Sequence, residues 1–135
     1  MLTPMLALVC WTLVMLLWMG ATRLPAMRKA GINPARMKDQ SELNVLPQRV
    51  RNIGANYNHL HEQPTIFYAL AVYSHLAGVA DPINIALAWA YVVSRVIHSL
   101  IQATSNYVPA RFLVFLIGGL LLTVIALRNI LALLL

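Results

Sequence analysis

Charged residues are scarce in this sequence, and their scarcity indicates where the protein acts. Of its 135 residues, 10% are charged and 60% are hydrophobic, whereas soluble domains carry about 25% charged and about 45 to 50% apolar residues. The mean hydropathy is +0.71. The composition therefore predicts a membrane protein. One domain is expected, because about 100 to 200 residues make one domain, and a separate soluble catalytic lobe does not fit.

Common signatures of catalysis are missing as well. Cys10 is the only cysteine, so no disulfide can form within the chain. There is no HExxH motif, and His59 and His61 point to nearly opposite sides of a helix, since two residues subtend about 200°. The sequence also lacks a glycine-rich phosphate loop, a pair of carboxylates, and Ser, His and Asp on one face. We therefore expect no metal site and no hydrolase, kinase or glycosidase activity.

Acidic residues are few, and the excess of cations is unevenly placed. Ten Lys and Arg stand against four Asp and Glu, which gives a net charge of +6. A positive net charge favours binding to nucleic acid or anionic lipid. Most of the cations, however, lie in one stretch between two apolar runs, as in a cytoplasmic loop that obeys the positive-inside rule. These cations are Arg23, Arg28, Lys29, Arg36, Lys38, Arg49 and Arg51. A nucleic-acid partner is therefore not expected, and membrane lipid is.

Four segments are long and apolar enough to form membrane helices, which need about 20 residues each. The predicted helices cover about 4–21, 47–80, 83–104 and 108–135, and the basic loop covers 22–46. Asp81-Pro82 and the Asn106 to Pro109 stretch predict tight turns. The expected fold is therefore an all-α, up-down four-helix bundle. The charge asymmetry places loop 22–46 in the cytoplasm.

Two stripes of polar side chains enter the predicted membrane helices, where such groups are costly and mark functional sites by default. Residues spaced i, i+4, i+7 and i+11 share a helix face. This spacing joins Arg51, Ala55, Asn58 and Glu62 on the second helix, and Tyr91, Arg95, His98 and Gln102 on the third. A tight hairpin makes the two helices neighbours, so the stripes are expected to face one another.

The polar stripes allow a structural and a functional interpretation. In the structural one, Glu62 pairs with Arg95 and offsets the cost of burying a guanidinium. In the functional one, the two stripes together with Arg111 offer more hydrogen-bond donors than mutual pairing consumes, and converge on a pocket for a small anionic ligand. Pro64 favours a kink where the second helix enters the bilayer, because proline cannot donate to the carbonyl four residues back.

The order and spacing of these motifs resemble the MAPEG family, the membrane-associated proteins of eicosanoid and glutathione metabolism, over essentially the whole chain. The resemblance is carried by Arg49-Val-Arg51-Asn52, Asn58-His-Leu-His-Glu62-Gln-Pro64, Ile66-Phe-Tyr-Ala-Leu and Ala90-Tyr-Val-Val-Ser-Arg95-Val-Ile-His98-Ser. It implies that 1–135 forms a single transmembrane domain that assembles as a homotrimer. Glutathione would then bind at subunit interfaces near the cytoplasmic side.

The resemblance also implies roles for individual residues. Glutathione would be held by Arg51, Asn58, Glu62, Arg95, His98 and Gln102, and Arg111 would stabilise its thiolate. Glu62 stands one residue after the position of the family glutamate, and His98 and Gln102 stand where family members usually carry tyrosines. A free cysteine thiol has a pKa of about 8.5, so lowering it by one unit requires about 1.36 kcal/mol of differential stabilisation.

Three functions remain open from the sequence. The first is a glutathione-dependent transferase or peroxidase that acts on lipophilic electrophiles. The second is a non-catalytic membrane protein that keeps the MAPEG scaffold, which the missing tyrosines favour. The third, a small transporter, ranks last because exporters of this size depend on a carboxylate in the first helix, and this one has none. The short chain without targeting signals favours a bacterial inner membrane.

Overall fold

The regular structure of the chain is entirely α-helical and 3₁₀-helical. A computed structural model describes residues 1–135, and no strand is present. The α-helices are α1 (Leu2–Lys29), α2 (Gln48–His59), α3 (Gln63–Leu76), α4 (Pro82–Ala103) and α5 (Val108–Leu134), and short 3₁₀ helices cover Pro34–Arg36 and Gln40–Val45. The predicted all-α class is confirmed, and the structure has five α-helices where four were expected.

Three helices, α1, α4 and α5, are long and apolar enough to cross a membrane. Their outer surfaces carry large apolar side chains. Leu17 is 73% exposed and Leu120 is 67% exposed, and soluble monomers rarely expose contiguous apolar surface of this kind. These apolar surfaces are therefore suited to contact with lipid.

The first helix is longer than its apolar run. The sequence predicted a helix over about 4–21, and α1 continues to Lys29 through Pro25. Proline removes one backbone donor and leaves the later turns intact, and the Thr22 hydroxyl donates to the Trp18 carbonyl at 2.9 Å. Arg28 and Lys29 occupy the last turn, where positive charge is favourable for the helix dipole. The helix therefore extends beyond the apolar segment from which it was predicted.

The second predicted helix, over 47–80, is broken in the structure. The chain leaves helical geometry between Leu60 and Glu62, and Glu62 has φ −96° and ψ −95°. Pro64 has no N–H to donate to the Leu60 carbonyl, so the helical ladder cannot continue through this point. The 14 residues of α3 span about 21 Å at 1.5 Å per residue. That length is below the hydrocarbon thickness of about 30 Å.

Local hydrogen bonds order the connector between α1 and α2. Asp39 is the N-cap of the second 3₁₀ helix and forms a capping box with Glu42. Asn33 caps the first, accepting from the Ala35 backbone N–H at 3.0 Å. Leu46 at its end is only 3% exposed, so the connector is anchored to the helices. This anchoring places its polar residues beside α2.

The core brings α1, α3, α4 and α5 together. Leu8 and Met15 from α1, Phe67 from α3, Tyr91 from α4 and Ile125 from α5 are fully buried. The rings of Phe67 and Tyr91 lie 4.7 Å apart between centroids. Since α4 contacts α1, α2 and α5, one face of α4 lies at the centre of the subunit.

Polar groups at the Asp81 end of the bundle are satisfied by one another. Arg128 donates to Asp81 and, at 2.8 Å, to Asn84. Asn84 donates to Asn129 at 3.3 Å, and Asn129 donates to the Ser74 hydroxyl at 2.8 Å. This network ties α3, α4 and α5 together. Its groups are paired within the subunit, as in a structural network.

Candidate functional site

The buried face of α4 carries a row of polar side chains at the opposite end from Asp81. Arg95, His98, Ser99 and Gln102 are at most 2% exposed. Each has at least one buried polar atom without a hydrogen-bond partner. Asn56 of α2 is fully buried, and both of its side-chain amide atoms are unpartnered. Buried polar groups are normally paired, so this row differs from the satisfied network at the other end.

Arg95 does not pair with Glu62, and the structural interpretation of that pair is wrong. The Arg95 Nη1 donates to Gln63 Oε1 at 3.2 Å, and Nε and Nη2 have no partner. Glu62 lies instead at the start of α3 with its side chain 62% exposed, and its Oε2 is 2.9 Å from the His59 Nδ1. The break after Leu60 is the physical reason, because it takes Glu62 off the helix face that 47–80 would have presented.

The first half of the predicted stripe on α2 lines a cleft of about 210 Å³, which we name the α2 cleft. Arg51, Ala55 and Asn58 line it as their spacing predicted. The remaining lining residues come from α1 and the connector: Arg23, Gln40, Leu43 and Asn44. The α2 cleft therefore combines two guanidinium groups with three amides. Such a set suits carboxylate groups, which guanidinium binds in a bidentate manner.

A second cleft of about 230 Å³, the α5 cleft, lies where α2, α4 and α5 meet. It is lined by His59, His98, Val108, Arg111, Phe112 and Phe115. One wall is thus cationic or polar, and the other is apolar. This arrangement suits a ligand with a charged reactive group beside a lipophilic body.

A chain of amide hydrogen bonds connects the two arginines that line the clefts. Arg51 donates to Gln48 at 2.5 Å, and Gln48 donates to Asn52 at 2.7 Å. Asn106 also donates to Asn52, at 3.3 Å, and Arg111 donates to Asn106 at 2.5 Å. Asn106 has φ 50°, a left-handed conformation that asparagine tolerates better than most residues. These hydrogen bonds connect the side chains of Arg51 and Arg111 and orient them relative to one another.

The predicted site residues are divided between places in the subunit. Arg51 and Asn58 line the α2 cleft, and His98 and Arg111 line the α5 cleft. Arg95 and Gln102 line neither cleft and lie buried in the row on α4. The clefts share no lining residue, but Asn58 and His59, in the last turn of α2, line one each. The largest cleft, about 660 Å³ between α1 and α2, holds none of the predicted residues.

Several polar residues of the site were not among the predicted ones. The structure adds Arg23, Asn52, Gln63 and Asn106, which are joined to the predicted residues by a shared cleft or by hydrogen bonds. His59 was considered only as half of a metal motif. The many amide side chains near the ends of the predicted loops could have indicated these residues. Amides at membrane depth are costly unless they are paired.

The fold and the clefts define an integral, multi-pass membrane protein with a polar, cation-bearing site at one end of its helices. A model of the MAPEG family matches residues 1–131. The chain therefore belongs to the MAPEG family, which confirms the family that the motifs predicted. Membership makes it a membrane protein of the glutathione and eicosanoid metabolism kind. No curated protein and no solved structure matches the chain.

Proposed function

We propose that the protein is a glutathione-dependent transferase or peroxidase that acts on lipophilic electrophiles in the membrane. Family membership supports a glutathione site in general. The observation that carries the proposal is the pair of arginines, Arg51 and Arg111, which line adjoining clefts and are linked by one chain of amides. Two fixed cations at adjoining places suit a ligand that carries several negative groups.

The carboxylates of glutathione are assigned to the α2 cleft. Arg51 and Arg23 line it together, and charge-assisted bonds from guanidinium to carboxylate are about twice as strong as neutral ones. From Arg51 to Asn58 the helix rises about 10 Å at 1.5 Å per residue. An extended chain of three residues spans about the same length, so a tripeptide anchored near Arg51 reaches the last turn of α2.

The thiol is assigned to the α5 cleft. Arg111 there provides positive charge for a thiolate, and Val108, Phe112 and Phe115 provide an apolar wall for the second substrate. Phe112 is 60% exposed on the outer surface of α5. An apolar substrate dissolved in the bilayer therefore reaches the sulfur from the lipid side.

The proposal includes the assembly and the placement of the subunit. We propose a homotrimer in which glutathione lies near a subunit interface, in a bacterial inner membrane with the basic loop on the cytoplasmic side. The unpartnered atoms of Arg95, His98 and Gln102 support their assignment to the same binding region, since a bound polar ligand would supply partners. The second function, a non-catalytic scaffold, predicts a stable assembly that glutathione does not affect.

The matched pair Arg51 and Arg49 tests the binding site. Both arginines lie in the first turn of α2, but Arg51 lines the α2 cleft and Arg49 lines the separate groove between α1 and α2. Arg51→Ala is expected to weaken glutathione binding about 10- to 100-fold, because a hydrogen bond to a charged group contributes about 1.5–3 kcal/mol. Arg49→Ala is expected to bind as the parent protein does.

Glutathione affinity is measured by calorimetry on the detergent-purified variants. Equal affinities for the two variants would remove the α2 cleft from the proposal. Absence of binding in the parent protein would instead favour the non-catalytic scaffold.

A further inference from the structure

His59 lies at the end of α2, beside ionisable side chains of α3, α4 and α5. Glu62, at the start of α3, places Oε2 2.9 Å from the His59 Nδ1, although the angle is not that of a hydrogen bond. The His98 ring of α4 lies edge-to-face at 5.8 Å between centroids. Arg111 of α5 lines the same cleft. His59 is thus an imidazole with a carboxylate on one side and a cationic cleft on the other.

We propose that His59 is the general base that removes the thiol proton of glutathione, and that Glu62 is its positioning residue. The inference rests on the proposed function and names a further residue of the same site. A neutral imidazole donates from one ring nitrogen and accepts at the other. The negative charge of the Glu62 carboxylate, 2.9 Å from Nδ1, electrostatically favours the proton on that nitrogen, which leaves Nε2 as the acceptor. The cleft that His59 lines is the one assigned to the thiol.

The other histidines do not combine these properties. The Nδ1 of His61 lies 2.9 Å from the backbone carbonyl of Tyr57, and His61 lines neither cleft. His98 lines the α5 cleft, but it is only 2% exposed and no carboxylate lies within ion-pair distance of it. His75 lies at the far end of α3. His59 alone has both a carboxylate partner and a place in the cleft.

We take an activated aryl halide as the electrophile. The thiol proton moves to the Nε2 of His59, and the electron pair stays on sulfur beside Arg111. Sulfur then forms a bond to the aryl carbon, the carbon–halogen bond breaks, and the halide leaves with its electron pair. The imidazolium returns its proton to water. Glu62 offsets the positive charge of the ring while it holds the proton.

His59→Gln and His61→Gln are the matched variants for the test. At neutral pH, His59→Gln is expected to lower kcat/KM with glutathione and the aryl halide about 100-fold, the lower end of the range for general base catalysis. The defect should shrink as the pH rises toward about 8.5, because even a free cysteine thiol ionises there without a base and a thiol beside a guanidinium ionises at lower pH. His61→Gln should match the parent protein at every pH, and glutathione affinity should be unchanged in both.

Glu62→Gln adds a readout of the positioning role. It is expected to give a smaller, roughly 10-fold loss with the same recovery at alkaline pH, because the base remains and only its orientation and charge balance are affected. A His59→Gln loss that is equal at all pH values would indicate a structural role and overturn the inference. Turnover equal to that of His61→Gln would overturn it too. If the parent protein neither binds glutathione nor reacts, the proposed function itself fails.

Discussion

Replacing Arg111 with alanine is expected to lower turnover of glutathione with a lipophilic electrophile by about 10²- to 10³-fold, the cost of removing one preorganised group that stabilises a developing anion. Arg111 lines the α5 cleft and is held by Asn106 at 2.5 Å. It is the cation assigned to the thiolate. The near-ultraviolet absorbance of bound thiolate should disappear in the same variant, while calorimetry should show that glutathione still binds, which separates loss of the thiolate from loss of binding.

Two variants control the Arg111 result. Arg111→Lys keeps the charge without the planar guanidinium and should keep part of the thiolate signal. Arg36→Ala removes an exposed cation that lines neither cleft and should change nothing. If Arg111→Ala turned over at the rate of Arg36→Ala, the thiolate would have to be stabilised elsewhere, and the assignment of the thiol to the α5 cleft would be wrong.

Replacing Gln63 with leucine is expected to destabilise the fold by about 3 kcal/mol, the upper value for a hydrogen bond to a charged group. Gln63 Oε1 is the only hydrogen-bond acceptor of the fully buried Arg95, and it also accepts from the Tyr91 hydroxyl at 3.4 Å. Leucine at position 63 leaves the guanidinium buried without any partner. Denaturant titration in detergent micelles measures the change in the free energy of unfolding.

The double variant Gln63→Leu with Arg95→Met isolates the cause. A buried ionic group replaced by apolar side chains of similar volume is often neutral or stabilising. Adding Arg95→Met should therefore recover at least half of the stability that Gln63→Leu removes. No recovery would mean that Gln63 stabilises the fold through its hydrogen bond to α5, where Nε2 donates to the Phe115 carbonyl at 3.4 Å, and not through the buried charge.

Three of the four predicted membrane helices coincide with α1, α4 and α5, which are long and apolar enough to cross a membrane, because hydropathy and helix length depend on local composition. Pro64 was correctly expected to disturb the second helix, but the sequence predicted a kink within one helix over 47–80 and not the complete break between α2 and α3. Helical spacing correctly grouped Arg51 with Asn58 before the break and wrongly added Glu62 after it. The error in the Glu62 and Arg95 pairing follows directly from the same break.

Contacts that join distant parts of the chain were also beyond the sequence. Arg23 reaches the α2 cleft because α1 continues past its apolar run. Asn106 connects Arg111 to Asn52 because the turn before α5 adopts a left-handed conformation. Neither feature produces a periodic pattern in the sequence. Family resemblance suggested the residue types of the candidate site, and the structure shows that Arg51 and Asn58 line one cleft and His98 and Arg111 line another.

The unpartnered polar row on α4 is a physical reason for a polar ligand to bind at this end of the subunit. A buried polar group without a partner costs about 1–3 kcal/mol, and the network at the Asp81 end shows that this chain pairs such groups where structure alone requires it. In the row on α4, by contrast, each polar side chain has at least one buried atom without a partner within the subunit. A polar ligand that supplies the missing partners would therefore stabilise the fold as it binds.

Calorimetric titration of the detergent-purified protein with glutathione decides whether the subunit has a glutathione site. We expect a saturable heat corresponding to one glutathione per subunit. We also expect a rise in stability of about 2.7 kcal/mol when free glutathione is 100 times its Kd. A titration at saturating glutathione with no heat and no gain in stability would rule out the glutathione-dependent function and leave only the membrane scaffold.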